Sequence, residues 1–275
     1  MDNLSESKLK SINIFTTKFG FYIAHSLKYL FEQKNIQAKI IYEINPNDPT
    51  LHIILFSQKI HVFPKNYIIY QLEQKDISKW VDSKYEASIL FSKITWDYSQ
   101  SNIDKFPDLI KQKMIYVPIP LVPIELLNPI YNSNIIPQNN ILFFGSMNNI
   151  RRHKLNYLQK KLYPKYKIKI ISNIYGDKLI KEILNSKIIL NIHFYKDAIL
   201  ETARINEVLS CNRIIISELP NIIDVQNYNL YTKNLSKQSE DKELFSETIV
   251  KENTDKVMFV ENINNMYNKI IELLK

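Results

Sequence analysis

Short runs dense in β-branched and aromatic residues alternate with stretches whose apolar residues fall three and four positions apart. This happens twice, on either side of "YVPIPLVPIELLNPI". Such alternation dictates α/β units with parallel strands, because each strand needs a helical crossover to reach the next. In the first half "INIFTT", "AKIIYE", "LHIILF", "YIIYQLE", "SKITWDYS" and "MIYVP" read as strands, with helices at "FYIAHSLKYLFEQK", near residues 83–92 and ending near Lys113. In the second half "NILFFG", "YKIKII", "KIILNIHF" and "RIIIS" are strands, and "NIRRHKLNYLQKKL", "DKLIKEILNS", residues 199–211 and "VENINNMYNKIIELLK" are helices. The polar stretch 232–256 reads as loop or mobile helix. Four prolines break the dividing stretch, and without their amide donors it reads as a linker. The expected organisation is α/β: residues 1–120 form one Rossmann-like, doubly wound domain, 121–138 a proline-rich linker and 139–275 a second such domain, the two facing a cleft.

With 45% hydrophobic and 23% charged residues over 275 positions, the chain has enough core material for two globular domains. Its one cysteine, Cys211, forms no internal disulfide, which suits a reducing, cytoplasmic location. "MDNLSESKLK" carries acids and no apolar segment of a signal peptide, and no run reaches the roughly 20 apolar residues of a transmembrane helix. Peripheral association with a membrane stays open. The net charge of +8 suits anionic substrates, membrane surfaces or nucleic acid. The lysines are scattered, however, and only Arg151, Arg152 and Lys154 cluster, so no specific nucleic-acid partner is expected. An Asp-x-Asp triplet, a P-loop, a G-x-S-x-G elbow and a Cys/His zinc pattern are all missing, so neither a metal site nor a cofactor is expected.

Three clusters could carry chemistry. Projected at about 100° per residue, the helix 199–211 sets Glu201 and Arg204 on the apolar stripe of Ile205, Val208 and Leu209, with Glu207 at its border and Asn206 and Ser210 on the opposite side. A solvated ion pair belongs beside Asn206, so these charges are expected either in a site or in a buried structural pair. In "FFGSMNNIRRHK" Gly145 permits close backbone approach, Ser146 follows, and a helix N-terminus offers free N–H groups to a phosphate. Arg151 continues the stripe of Leu155, Leu158 and Leu162 and points inward, where its planar fork suits a diphosphate. A tight turn followed by ordinary basic surface is the other reading. Asn191 and His193 end a strand on the side where open α/β sheets bind ligands; His193 either donates to a sugar or phosphate oxygen or is a satisfied structural histidine. In the first half Gly20 falls in a loop facing the cleft, and Glu73 ends a strand where an acid could act as base toward an acceptor hydroxyl. Trp96 and Tyr98 either offer an aromatic face to a sugar or base, or pack in the core.

The order of "ILFFGSMNNIRR", "KIILNIHFY", "LETARINEVLSC" and "RIIISE" resembles glycosyltransferases of the GT-B type, in particular the glycosyltransferase group 1 clan. The likeness is best over residues 140–218 and weaker at "YIIYQLEQ" and "ITWDYSQSNI". It implies a nucleotide-sugar donor, UDP- or GDP-linked, bound by the second domain, an acceptor surface on the first, and metal-independent transfer with retention and no cofactor. The acceptor, a glycan, protein or lipid, is left open. By the same likeness Glu207 in "NEVLS" binds the donor ribose, Glu201 contacts the transferred sugar, and Arg151 or Arg152 stabilises the departing diphosphate. Gly145, Ser146 and Arg204 stand beside them in the donor site, and His193 joins Glu201 and Arg152 in catalysis. The chain departs from the family in the shorter spacing of Glu201 and Glu207 and in lacking the Glu-Gly-Phe-Gly loop. A catalytically silent relative serving as a binding or scaffolding module is one rival, and a basic nucleic-acid binder the other.

Overall fold

The computed structural model describes residues 10–220, 222–238 and 255–275. Two parallel sheets carry the fold. The first comprises β1 (Ser11–Phe15), β2 (Gln37–Ile41), β3 (Leu51–Ile54), β4 (Tyr67–Gln71), β5 (Thr95–Asp97) and β6 (Met114–Tyr116), in the order β2-β1-β3-β4-β5-β6. The second comprises β7 (Asn139–Phe144), β8 (Ile168–Ile171), β9 (Ser186–Asn191), β10 (Ile214–Glu218) and β11 (Val257–Val260), in the order β11-β10-β9-β7-β8. Every pairing in both sheets is parallel. The helices are α1 (Phe21–Gln33), α2 (Ser83–Phe91), α3 (Gln100–Ile103), α4 (Asp108–Lys111), α5 (Ile124–Leu127), α6 (Asn149–Leu162), α7 (Asp177–Leu184), α8 (Thr202–Ser210), α9 (Ile222–Gln238) and α10 (Ile263–Leu274). The fold class is therefore the expected one, a pair of doubly wound α/β sheets.

Local chemistry accounts for the element boundaries near the site. The Asn148 side chain accepts from Arg151 N at 2.9 Å and so starts α6. Leu155, Leu158 and Leu162 are buried on one face of α6, in the apolar cluster that holds Phe143, Ile188 and Leu190 of the sheet. Burying each such side chain fully contributes about 1.5–3 kcal/mol. In each sheet the winding reverses between the first and third strands, β1 and β3 in one and β7 and β9 in the other. Such reversals open a crevice at the carboxyl ends of the strands.

Four expectations change. The helix expected over 199–211 begins only at Thr202, with Glu201 as its N-cap residue, because Ala198, Ile199 and Leu200 are buried in a segment pinned from outside the helix. Ile199 N donates to Gln74 Oε1 at 3.1 Å and Leu200 N to Asp224 Oδ2 at 3.3 Å. Asn206 and Ser210, expected on the solvent side, are buried: Asn206 Nδ2 donates to Ile119 O at 2.8 Å and its Oδ1 accepts from Tyr228 on α9 at 2.8 Å. The segment read as linker is also anchored, with Leu121, Val122 and Ile124 buried and α5 formed within it. Strand β11 and the first part of α9 were not expected, while residues 239–254 of the polar stretch lie outside the described residues.

Besides the bonds of Ile199 to Gln74 and of Asn206 to Ile119, the two halves are held together at two further places. At the first, Tyr22 Oη of α1 donates to Pro120 O at 3.1 Å and accepts from Val122 N at 3.0 Å, while Leu121 N donates to Tyr231 Oη of α9 at 3.1 Å. At the second, Asp224 at the start of α9 accepts from Ser99 Oγ and Ser101 Oγ of the first half, each at 2.8 Å.

Candidate functional site

A cavity of about 260 Å³ lies between the halves, where the two strand-order reversals meet. From the first half come Phe19, Tyr22 and Ile23, carried by the turn after β1 and the start of α1. From the second come Gly145 and Ser146 after β7, Asn173 to Tyr175 after β8, and Arg204 and Glu207 on α8. At the mouth the Phe19 and Tyr175 rings meet edge to face, 4.8 Å between centroids, and Lys18 Nζ lies 5.0 Å from the Tyr175 ring centre.

Gly145 sits at φ +129°, a backbone region that side chains rarely tolerate. A Cβ there would stand 2.9 Å from an Arg204 terminal nitrogen and 3.4 Å from one of Arg151. The glycine thus lets two guanidinium groups reach the end of β7. They differ in what they face. Arg151 is 2% exposed and its donors are engaged: Nε with Ile192 O at 2.8 Å, one terminal nitrogen with Ser146 O at 2.8 Å, the other with Glu201 Oε1 at 3.4 Å. Its Cζ lies 5.5 and 5.2 Å from the ring centres of Phe143 and Phe194. Burial, together with the charge of Arg204, pushes its pKa down to about 10. Arg204, by contrast, lines the cavity, steadied by Asn191 Oδ1 at 3.2 Å and by the Phe144 ring 5.0 Å away.

Three acids surround this pair. Glu201 lies 3.4 Å from Arg151 and 3.9 Å from Arg204, yet its Oε2 accepts no hydrogen bond from the described residues. Glu207 follows Arg204 by one helical turn on the cavity wall; burial raises its pKa to about 7 against the opposing pull of Arg204. Glu218 takes His193 N at 2.9 Å and pairs with Lys154. The His193 ring is buried and its Nε2 has no partner among the described residues. Burial lowers its pKa, opposed by Glu201 and Glu218, so the imidazole is neutral near pH 7.

The structure thus gathers Gly145, Ser146, Arg204 and Glu207 on one wall, with Arg151, Glu201 and His193 connected behind it. Arg152 is exposed on α6, since neighbouring helical residues point about 100° apart. Gly20 is buried beside the cavity residue Phe19; a Cβ there would meet Phe56 and Thr16, both at 2.6 Å, so it serves the packing of its own turn. Glu73 is held by Gln58 Nε2 at 2.8 Å and Ser78 Oγ at 2.7 Å, and burial raises its pKa. Trp96 and Tyr98 belong to the apolar cluster of the first half, Trp96 edge-on to Tyr70 at 5.6 Å; of the two expectations for them, core packing is what the structure displays. Sequence reasoning did not single out Asn191 as the brace of Arg204, nor Phe19 and Tyr175, whose meeting depends on the placement of the two halves. Among the described residues, no group of three or more His, Cys, Asp or Glu side chains is placed to hold a metal ion, and no helix is long and apolar enough to cross a membrane.

The two sheets and the cavity between them define a two-part α/β protein with a cleft. No family model matches the chain, and no curated protein matches it. Among solved structures, the chain is similar to Anabaena HepE in complex with UDP and glucose, at 8% identity and a TM-score of 0.47 over 97% of this chain and 99% of that one. It is also similar to a glycosyltransferase from Rickettsia africae, at 12% identity and TM-score 0.44 over 98% and 99% of the two chains. An α1,3-fucosyltransferase gives 12% identity and TM-score 0.37 over 100% and 92%.

Proposed function

We propose that the protein is a glycosyltransferase using a nucleotide-sugar donor, with the diphosphate beside Gly145 and Arg204 and the ribose at Glu207. The observation that carries this reading is a guanidinium and a carboxyl one helical turn apart on a cleft wall, opposite a residue that has no side chain. A guanidinium fork matches diphosphate oxygens, and a carboxylate can accept from both hydroxyls of a ribose. Arg204 comes already oriented by Asn191 and Phe144, so it stabilises charge developing on the leaving diphosphate without reorganising. In this reading the diphosphate role belongs to Arg204. Arg151 is a positioning residue that fixes the Ser146 loop, the end of β9 and Glu201 together, and Arg152 takes no part. Glu201 and His193 lie behind that wall with Oε2 and Nε2 buried, so in this reading they act on the transferred sugar through the arginines that Glu201 pairs with and not by touching it. Two adjacent guanidinium groups supply positive charge of the kind a divalent ion brings elsewhere, which supports transfer without metal. Retention of configuration and a UDP- or GDP-linked donor complete the proposal.

The test is a thermal-shift screen against UDP-, GDP- and dTDP-sugars, with and without Mn²⁺. A ligand at about 100 times its Kd adds about 2.7 kcal/mol of stability. One nucleotide class should raise Tm without metal, and Arg204→Ala should abolish that shift while the protein stays folded. A flat screen on folded protein would overturn the proposal. Binding without turnover toward any acceptor would instead identify a silent binding module.

A further inference from the structure

A second cavity, of about 190 Å³, opens at the carboxyl edge of the first sheet, between the turn after β3 and the start of α2. Trp80 forms one wall and is 42% exposed, with Phe63 and Tyr85 supplying further aromatic surface. An aromatic wall of this kind suits the apolar face of a sugar ring. Two ammonium groups stand over the Trp80 ring, Lys59 Nζ at 4.7 Å and Lys79 Nζ at 5.2 Å from its centre, and Lys84 lies on the cavity wall. The one acid on that wall, Asp82, accepts from Tyr85 N at 2.8 Å and caps α2. Positive charge therefore dominates the opening. On the inner side Gln58 donates its Nε2 to Glu73 Oε1 at 2.8 Å and leaves its Oε1 without a partner among the described residues. The cavity is thus joined by one hydrogen bond to the acid at the end of β4.

We infer that this cavity binds a sugar ring bearing an anionic group, a uronate carboxylate or a phosphate, and that it holds the acceptor; the acceptor role rests on the glycosyltransferase reading above. The ring lies against Trp80, the anion draws Lys59, Lys79 and Lys84 toward it, and a hydroxyl faces Gln58. No other feature of the first half joins an exposed aromatic wall, an excess of ammonium groups and an unpartnered amide oxygen among the described residues.

Intrinsic fluorescence reads the site, because Trp80 and Trp96 are the two tryptophans and Trp96 is packed against Tyr70. The full chain is titrated with a glucuronic-acid-terminated disaccharide, with glucose 6-phosphate and with neutral cellobiose. A saturable change is expected with at least one anionic probe, and whichever binds tighter names the anion; cellobiose should bind more weakly by about tenfold or more, the effect of losing one charge-assisted contact. Trp80→Phe should remove the fluorescence change with an unaltered melting curve. Lys59→Gln/Lys79→Gln should weaken the anionic probe by about tenfold or more and leave cellobiose unchanged. Equal affinity for neutral and anionic sugars, no saturation with either anionic probe, or an unchanged response in Trp80→Phe would overturn the inference. Nucleotide binding without anionic-sugar binding removes this inference alone. Anionic-sugar binding without nucleotide binding keeps the cavity's ligand and removes its acceptor role.

Discussion

On the proposed assignment of Glu207 to the donor ribose, donor affinity depends on pH in a direction and size that the site fixes. Burial raises its pKa to about 7 in the free protein, so near neutrality it is divided between carboxyl and carboxylate. Only the carboxylate accepts from both ribose hydroxyls; the acid form must turn one oxygen into a donor. Donor binding therefore favours the ionised form, and affinity rises with pH. With a pKa of about 7 the ionised fraction is about one eleventh at pH 6 and about ten elevenths at pH 8, a tenfold ratio equivalent to about 1.4 kcal/mol of binding free energy. The assay is calorimetric titration with a nucleotide-sugar. Its diester-like diphosphate does not titrate in this window, unlike the terminal phosphate of a free nucleoside diphosphate. Wild type should bind about tenfold more tightly at pH 8 than at pH 6, and Glu207→Gln should bind weakly with no slope. A flat wild-type profile, or a slope that persists in Glu207→Gln, would refute the ribose assignment.

Arg151→Ala leaves buried carbonyls and Glu201 without their cation, and should cost about 3–5 kcal/mol in urea unfolding; a loss below about 1 kcal/mol would mean the guanidinium does not hold the site together. Gly145→Ala combines backbone strain of about 1–3 kcal/mol with a Cβ 2.9 Å from Arg204, so both stability and nucleotide affinity should fall, the latter about tenfold as Arg204 leaves Asn191. Wild-type affinity in that variant would show that Arg204 can move without consequence. Asp97, fully buried, has its pKa raised to about 8, chiefly by burial, from an ordinary value near 3.8. Its contribution to stability is therefore complete below the unfolded-state value and is lost as pH rises through about 8. Melting temperature should fall across that window, and a decline no shallower in Asp97→Asn would assign the slope to another group.

Apolar runs were enough to read ten of the eleven described strands, because a buried parallel strand must be apolar on both faces: "ILFF" and "IIL" admit little else. It also turned Arg151 inward, since a helix that must bury Leu155 and Leu158 carries its preceding turn with it. Asn206 escaped because a single-helix projection knows one partner, whereas α8 has several. The sheet covers one side, and residue 119 and Tyr228 of α9 cover the side that looked solvated. Strand β11 escaped for a related reason. "VMFV" is four residues long and its strand character comes from pairing with β10, not from any pattern of its own. At the site, residue types announced a cluster of arginines and acids, but which of Arg151, Arg152 and Arg204 meets the cavity depends on side-chain direction, which spacing constrains only to a face.

The two grips between the halves have a mechanical consequence. A body held to another at one point can tilt and twist about it; held at two, it keeps only rotation about the line through both. Tyr22 and Tyr231 fix one point on residues 120–122, and Asp224 fixes the other on Ser99 and Ser101. Ile199 and Ala203 of the second half also pack in the apolar cluster of the first, and Ile199 and Asn206 bond to Gln74 and Ile119, so the halves are tied along a seam and even that rotation is resisted. Phe19 and Tyr175 meet through their rings alone, so that corner of the seam can part by side-chain rotation without breaking a buried hydrogen bond.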